Sequence, residues 1–329
     1  MRKLRWGILS TAEIGQTQVI PAILRAENAE VVAIASRKEK AQSVAKVFSI
    51  PAAYESYEEM LRNQNVEAVY IPLPNHLHKE WVIQAAKHGK HVLCEKPAAL
   101  TEKETLEMIK VCRENNVQFM EAFMYQFHPQ HKRVQEIIAS GEIGEVKYMR
   151  ASFSFFLGDR KENIRMNKHM GGGSLYDVGC YCIHVIRTIL QSEPIQVETI
   201  AETDTESGVD LSAIGYMKLE NGINCVFDSS FDMSFRHEYE IVGTKGRITV
   251  PRAFRPDVND SVGLIVIQTD QGEQTIQISG DQYKTQIEYF SQAVLENTPL
   301  SAEGTLKNMR VIDACFQSID SKKSVKITC

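Results

Sequence analysis

Short apolar runs alternate with amphipathic stretches through the first third of the chain. The pattern predicts strands over 4–9, 30–35, 68–71, 91–94 and 118–122, with helices over 16–26, 39–48, 78–88 and 101–115 between them. Parallel neighbours need a long crossover, and an intervening helix supplies it, so this rhythm predicts a parallel sheet covered on both faces. The expected unit is a Rossmann-type, doubly wound α/β domain over 1–124. After Tyr125 the rhythm changes. Helices are predicted over 130–140, 174–190, 282–296 and 306–321, and long strands over 146–156, 197–203, 211–219, 223–231, 238–242, 264–268 and 274–278. Turns such as Glu220-Asn221-Gly222 join successive strands antiparallel. The expected second domain, 125–329, is α+β with a large, mostly antiparallel open sheet. One face of that sheet takes helices. The other needs a cover, and a second copy of the chain is expected there, giving a homodimer or higher homo-oligomer.

Composition adds exclusions. The 37 Lys and Arg against 42 Asp and Glu leave a net charge of -5, which gives no electrostatic reason for a nucleic-acid or anionic-membrane partner. No apolar run reaches a membrane span, and no signal-peptide pattern opens the chain, so a cytoplasmic location is expected. The seven cysteines are scattered, with no C-x-x-C pair, and read as small buried hydrophobes rather than disulfide or zinc partners. No His, Asp and Glu spacing predicts a metal.

Candidate chemistry concentrates in four segments. Gly171-Gly172-Gly173-Ser174 leads into a predicted helix in which Asp177, Tyr181 and His184, spaced by four and three, share one face. Ser174 is the expected cap. The first strand runs into Ser10-Thr11-Ala12-Glu13-Ile14-Gly15, a strand–turn–helix whose free N–H groups would take a phosphate; Ser10, Ala12 and Gly15 stand at the positions of G-x-G-x-x-G. The second strand ends in Ser36-Arg37-Lys38 with no acid for a ribose 2′-hydroxyl. Arg37, with Ser36 and Lys38, suits a 2′-phosphate, so NADP(H) is expected over NAD(H). Glu95-Lys96-Pro97 closes a further strand, at the end of the sheet where ligands bind.

Leu9-Ser10-Thr11-Ala12, Glu95-Lys96-Pro97 and the stretch from Gly171 to Tyr181 together resemble the Gfo/Idh/MocA oxidoreductases, across almost the whole chain. The likeness is greatest to the branch that holds dimeric dihydrodiol dehydrogenase, NADP-dependent D-xylose dehydrogenase and glucose–fructose oxidoreductase. The resemblance implies that Lys96 contacts both cofactor and substrate, that Tyr181 is the general acid/base and that Asp177 orients substrate hydroxyls. It also implies that Ser10, Thr11, Ala12, Ile14, Leu73, Pro74, Asn75, His78, Glu95 and Glu121 line the cofactor, and that Arg165 approaches it from the second domain.

The chemistry agrees with those roles. A free phenol has a pKa near ~10, and a neighbouring ammonium such as Lys96 would favour the phenolate that accepts a hydroxyl proton. His184, one turn beyond Tyr181, either touches substrate or is a buried, satisfied imidazole. The basic loop with Arg160, Lys161, Arg165 and Lys168 is either solvated or an anion site. The expected function is an NADP(H)-dependent oxidoreductase acting on CH–OH groups of a carbohydrate-like substrate, a sugar, polyol or related diol. The alternatives are a trans-dihydrodiol or dicarbonyl oxidoreductase, and a non-catalytic NADP(H)-binding regulator.

Overall fold

Six parallel strands form the first sheet of the computed structural model, which describes residues 2–37 and 39–328. β1 (Leu4–Leu9), β2 (Ala29–Ala35), β3 (Ala52–Tyr54), β4 (Ala68–Ile71), β5 (His91–Cys94) and β6 (Phe119–Glu121) lie in the order β3-β2-β1-β4-β5-β6. The crossovers are α1 (Ile20–Arg25), α2 (Lys40–Phe48), α3 (Tyr57–Arg62), α4 (Asn75–Lys87) and α5 (Glu102–Glu114). Strand order reverses between β1 and β4, so a crevice opens at their carboxyl ends. β4 is buried along its whole length, as a strand covered on both faces must be. Two details depart from the predicted pattern. β3 and α3 occupy a stretch where periodicity predicts nothing, because three residues cannot display alternation. The helix predicted over 16–26 is split into a π-helical turn, Gly15–Val19, followed by α1.

The second sheet has nine strands. α6 (Pro129–Ser140) precedes β7 (Val146–Phe156), and α7 (Cys180–Leu190) precedes β8 (Pro194–Thr203), β9 (Asp210–Leu219), β10 (Asn224–Ser230), β11 (Asp232–Gly243), β12 (Gly246–Val250), β13 (Val262–Thr269) and β14 (Gly272–Ser279). After α8 (Gln282–Leu295) and α9 (Glu303–Ser321), β15 (Val325–Lys326) adds the last edge. The order is β14-β13-β12-β11-β7-β10-β9-β8-β15; β7 and β10 pair parallel and all other neighbours antiparallel. β12, absent from the predicted set, bridges β11 and β13. Among the described residues no helix is long and apolar enough to cross a membrane.

Residues group into two compact units. One holds the chain up to Met124 together with Tyr283–Leu306, and the other holds Tyr125–Gln282 with the chain from Lys307 onward. The division expected after residue 124 is thus refined by a return of the chain. α8 belongs to the first unit, where Phe290 packs on Trp6 (ring centroids 5.1 Å apart) and Ser291 accepts the Trp6 indole N–H at 3.2 Å.

The start of the α7 segment shows how the second unit places a helix. Its first turn, Leu175–Gly179, is π-helical, and Ser174 is itself in helical conformation with no side-chain cap. The cap comes from β9 instead. Asp210 Oδ2 accepts from Leu175 N at 2.7 Å and from Ser174 Oγ at 2.9 Å. Asp210 is buried; Gly173, Ser174, Leu175 and Ser229 surround this contact and Thr203 stands opposite on β8, all uncharged. Burial therefore raises its pKa to about 6, against the opposing hydrogen bonds. A raised carboxyl pKa means that the folded state holds the proton more tightly than the unfolded chain. The stability this contributes is complete below the ordinary pKa and is lost as pH rises through about 6, a change of about 2–3 kcal/mol. The melting temperature of the wild type relative to Asp210→Asn is accordingly expected to fall between about pH 4 and pH 7; a constant difference would show that Asp210 does not titrate there.

Candidate active site

One group of candidate residues, in the first unit, lies at the carboxyl ends of β1, β2, β4, β5 and β6. Ser10 takes φ 122°, a conformation that favours glycine. Its hydroxyl donates to Pro72 O and accepts from Ala12 N, both at 3.2 Å, and so holds the sharp turn that glycine would permit by freedom alone. Thr11 Oγ1 lies 3.2 Å from Ser36 Oγ, tying this turn to the end of β2. Small half-buried side chains at Ser10, Thr11 and Ala12, followed by Ile14 and a π turn with no acid in its first turn, form a backbone cradle suited to a pyrophosphate. At the end of β2 Ser36 is buried and Arg37 exposed. Burial raises the pKa of Tyr57 and the Arg37 guanidinium partly opposes it, which places Arg37's charge near the start of α3. Lys38 lies outside the described residues.

The segment around Lys96 is pinned from three sides. Glu95 Oε1 accepts from Tyr70 Oη at 2.5 Å, from β4. His78, fully buried on α4, sets Nδ1 2.9 Å from Pro97 O and Nε2 2.8 Å from Leu73 O. Glu121 Oε1, at the end of β6, accepts from Ala98 N at 2.8 Å. Lys96 itself is half-buried, and its peptide bond to Pro97 is cis. Burial lowers the His78 pKa to about 4, and the Lys96 charge adds to the shift against the two carbonyl contacts. His78 and Glu121, both expected to line the cofactor, are buried and hold the main chain at Leu73, Pro97 and Ala98. Leu73 is buried, while Pro74 and Asn75 at the start of α4 are half-buried.

Another group, in the second unit, is carried by the α7 segment. Asp177 is half-buried in the π turn, where Arg165 Nε reaches its Oδ2 at 2.6 Å; the Arg165 guanidinium also lies 5.7 Å from the centre of the Phe155 ring. The structure thus joins two predicted residues that the sequence gives no reason to pair. Tyr181, buried, packs against Tyr125, Phe153 and Phe254 with ring centroids 5.8, 5.4 and 5.4 Å away. His184 is also buried, with Nδ1 2.6 Å from Tyr125 Oη, and burial holds its pKa well below the ordinary imidazole value. Its ring is thus held by Tyr125 within the second unit, at a burial like that of Tyr181. In the basic loop Arg160 pairs with Asp232. Sequence reasoning passed over Asp210, Tyr125, Phe153 and Phe254. Asp210 had one faint signal, an acid opening an apolar strand.

Comparison with known proteins agrees with the two-domain fold. Residues 4–123 match the oxidoreductase family model with an NAD-binding Rossmann fold, and residues 131–249 match the GFO/IDH/MocA C-terminal domain. The chain is 38% identical over 327 residues to D-xylose 1-dehydrogenase (NADP(+)) 2 of Haloferax volcanii, covering 98% of this chain and 100% of that one. It is 32% identical to trans-1,2-dihydrobenzene-1,2-diol dehydrogenase of Xenopus laevis over 75% of each. Among solved structures, KijD10, a 3-ketoreductase from Actinomadura kijaniata in complex with NADP and TDP-benzene, superposes with a TM-score of 0.91 at 28% identity, covering 97% of this chain and 98% of that one. Two matched domain models, in the order and at the places where the two sheets lie, make the chain a member of the Gfo/Idh/MocA family of oxidoreductases.

Proposed function

We propose that the protein is an NADP(H)-dependent oxidoreductase that interconverts a hydroxyl and a carbonyl on a sugar, polyol or related diol, with Tyr181 as general acid/base assisted by Lys96. The observation that carries this reading is the triple pinning of Glu95-Lys96-Pro97, which fixes the backbone under a lysine at a ligand-binding strand end. The cofactor reading rests on the small-residue turn at Ser10, Thr11, Ala12 and Ile14 and on Ser36 and Arg37 where an NAD site would hold a carboxylate. The NADP named for the xylose dehydrogenase and for KijD10 supports it. Leu73, Pro74, Asn75 and Glu95 border the same crevice in this assignment, and Lys38, next to Arg37 in sequence, is assigned to the same phosphate.

When bound, the nicotinamide supplies hydride exchange. The protein's own part is proton movement and orientation. Tyr181 Oη takes the hydroxyl proton in oxidation and returns it to the alkoxide in reduction; Lys96 favours the phenolate; Asp177, held by Arg165, accepts hydrogen bonds from neighbouring substrate hydroxyls. Arg160 and Arg165 are each matched by an aspartate, which favours a solvated loop and an uncharged substrate over a phosphate site. A trans-dihydrodiol is the second reading. It is favoured by the aromatic wall of Phe153 and Phe254 around Tyr181 and by exposed Phe235 beside Phe153.

We also assign the outer face of the second sheet to self-association, because Ile200, Ile214 and Tyr216 stand exposed on β8 and β9 at 76%, 56% and 37%.

Three outcomes test these assignments. Tyr181→Phe is expected to lower kcat by about 10²–10⁴-fold with NADPH binding retained; undiminished turnover would remove Tyr181 from the chemistry. Arg37→Ala, measured by calorimetry, is expected to weaken NADPH binding by about 10–100-fold and leave NADH nearly unchanged. Equal loss for both nucleotides would refute the 2′-phosphate site. In analytical ultracentrifugation Ile200→Lys with Ile214→Lys is expected to yield a monomer from a wild-type dimer or larger assembly, and a monomeric wild type would reject the interface.

A further inference from the structure

We propose that Asp210 is the positioning residue for the catalytic helix, holding the Gly173–Leu175 turn from the first residue of β9 and so setting where Asp177 and Tyr181 stand. The inference rests on the roles proposed above for those two side chains.

The contacts form a closed chain within the second unit. Asp210 Oδ2 receives Leu175 N at 2.7 Å and Ser174 Oγ at 2.9 Å, and Ser174 Oγ also lies 3.1 Å from Ser229 Oγ on β10. Gly173 N donates to Arg165 O at 2.9 Å, and the Arg165 side chain in turn holds Asp177 Oδ2 at 2.6 Å. Asp177 N closes the circuit by donating to Gly173 O at 3.1 Å. All of these links except the Arg165–Asp177 pair touch the turn that Asp210 grips, and that pair is tied to it through Gly173 at both ends.

Two glycines record how tightly the turn is held. A Cβ on Gly173, which has φ 114°, would lie 2.1 Å from Asp210 Oδ1, so the carboxyl occupies the space that any other residue would fill. A Cβ on Gly172 would lie 2.5 Å from Arg165 O. The glycine run is therefore a fitted seat for one carboxyl and one carbonyl rather than a flexible hinge. A helix that needed only an end cap would be served by a serine or threonine in extended conformation. Here Ser174 is helical and gives its hydroxyl to Asp210. Burying a carboxyl with no cation among its immediate partners is costly, and such arrangements gather where geometry serves function. Tyr181 follows within two turns on the same continuous segment, so a displaced start is carried to its phenol.

The test compares wild type, Asp210→Ala, Asp210→Asn and Ser174→Ala in the full-length protein. It measures steady-state kinetics with NADP(H) on a panel of aldoses and diols, NADPH affinity by calorimetry, and hydrogen exchange of amides 175–181. Misplacement by about an ångström costs on the order of 100-fold, so Asp210→Ala is expected to lower kcat by about 100-fold while NADPH affinity changes by less than about threefold. Its amides 175–181 should exchange at least about tenfold faster. Asp210→Asn keeps an oxygen for Leu175 N and is expected to recover about tenfold of the lost kcat. If Asp210→Ala does not fold, Asp210→Asn and Ser174→Ala carry the same comparison, each with a smaller loss of kcat and faster exchange confined to 175–181. Unchanged kcat and exchange, or a loss shared equally by NADPH affinity and by amides throughout the second unit, would overturn the proposal. A wild type that transfers no hydride to any member of the panel would defeat the proposed function instead, and local exchange in the Asp210 variants would still decide the role of Asp210.

Discussion

A lysine at a strand end is useful to catalysis only if its backbone is held still, because its four-carbon stem already costs about 2 kcal/mol of rotamer freedom to place. In this protein the holding is done by three buried polar contacts from three different elements: Tyr70 on Glu95, His78 on Pro97 and Glu121 on Ala98. They converge because β4, β5 and β6 are neighbours in parallel register, with Ile71 opposite Cys94 and Cys94 opposite Glu121. Parallel pairing brings all three carboxyl ends to one row, and the right-handed crossover brings α4 over them. The fold therefore supplies the clamp as well as the crevice. His78 shows its cost. Two carbonyl oxygens face the two ring nitrogens, yet a neutral imidazole carries one N–H, and burial together with the Lys96 charge keeps it neutral at physiological pH. One contact is a hydrogen bond and the other a close approach without a proton.

The second unit repeats the device with different parts. Glu121 accepts a backbone N–H two residues beyond Lys96; Asp210 accepts one two residues before Asp177. Each is a buried carboxyl at a strand terminus, reaching the main chain of a segment that carries a candidate site residue. A main-chain N–H is a good target for this purpose. It has no rotamers, so fixing it fixes the direction of the chain that follows. Bulk comes from elsewhere: Tyr125, Phe153 and Phe254 pack the Tyr181 ring, and Arg187, buried in α7, is matched by Glu193 at 2.6 Å and Asn308 at 2.9 Å.

What the chain reveals before folding follows the range of the interactions involved. Alternating apolar runs and helical periods show both sheets, because each strand advertises its burial locally. β3 and β12 escape for opposite reasons: Ala52–Tyr54 is too short to alternate, and Gly246–Val250 puts a glycine and an arginine where a strand pattern should begin. The return of α8 to the first unit hides because Trp6 and Phe290 lie far apart in sequence and nothing local marks the pair. Within the candidate site, Asp177 and Tyr181 are legible through helical spacing after three glycines, and Lys96 through its place at a strand end. Asp210 is not, since its partners are 35 and 36 residues away. Ser174 misleads for the same reason: its sequence context is that of a cap, and a carboxyl from β9 takes that office.

The distribution of charge separates the two ligand regions more sharply than the amino-acid list does. Read along the chain, Arg37, Arg160 and Arg165 are equivalent cations in loops. In the folded units they are not. Arg160 and Arg165 face Asp232 and Asp177, so their fields are largely cancelled at short range. Arg37 stands exposed beside Ser36 at a strand end that lacks a carboxylate. A phosphate entering the loop of residues 157–170 would have to displace an aspartate from its arginine, losing one charge-assisted pair to gain another. The same ion pair that occupies Arg165 also fixes the Asp177 carboxylate on the π turn. The charge that favours a phosphorylated ligand lies with the nucleotide end of the first unit.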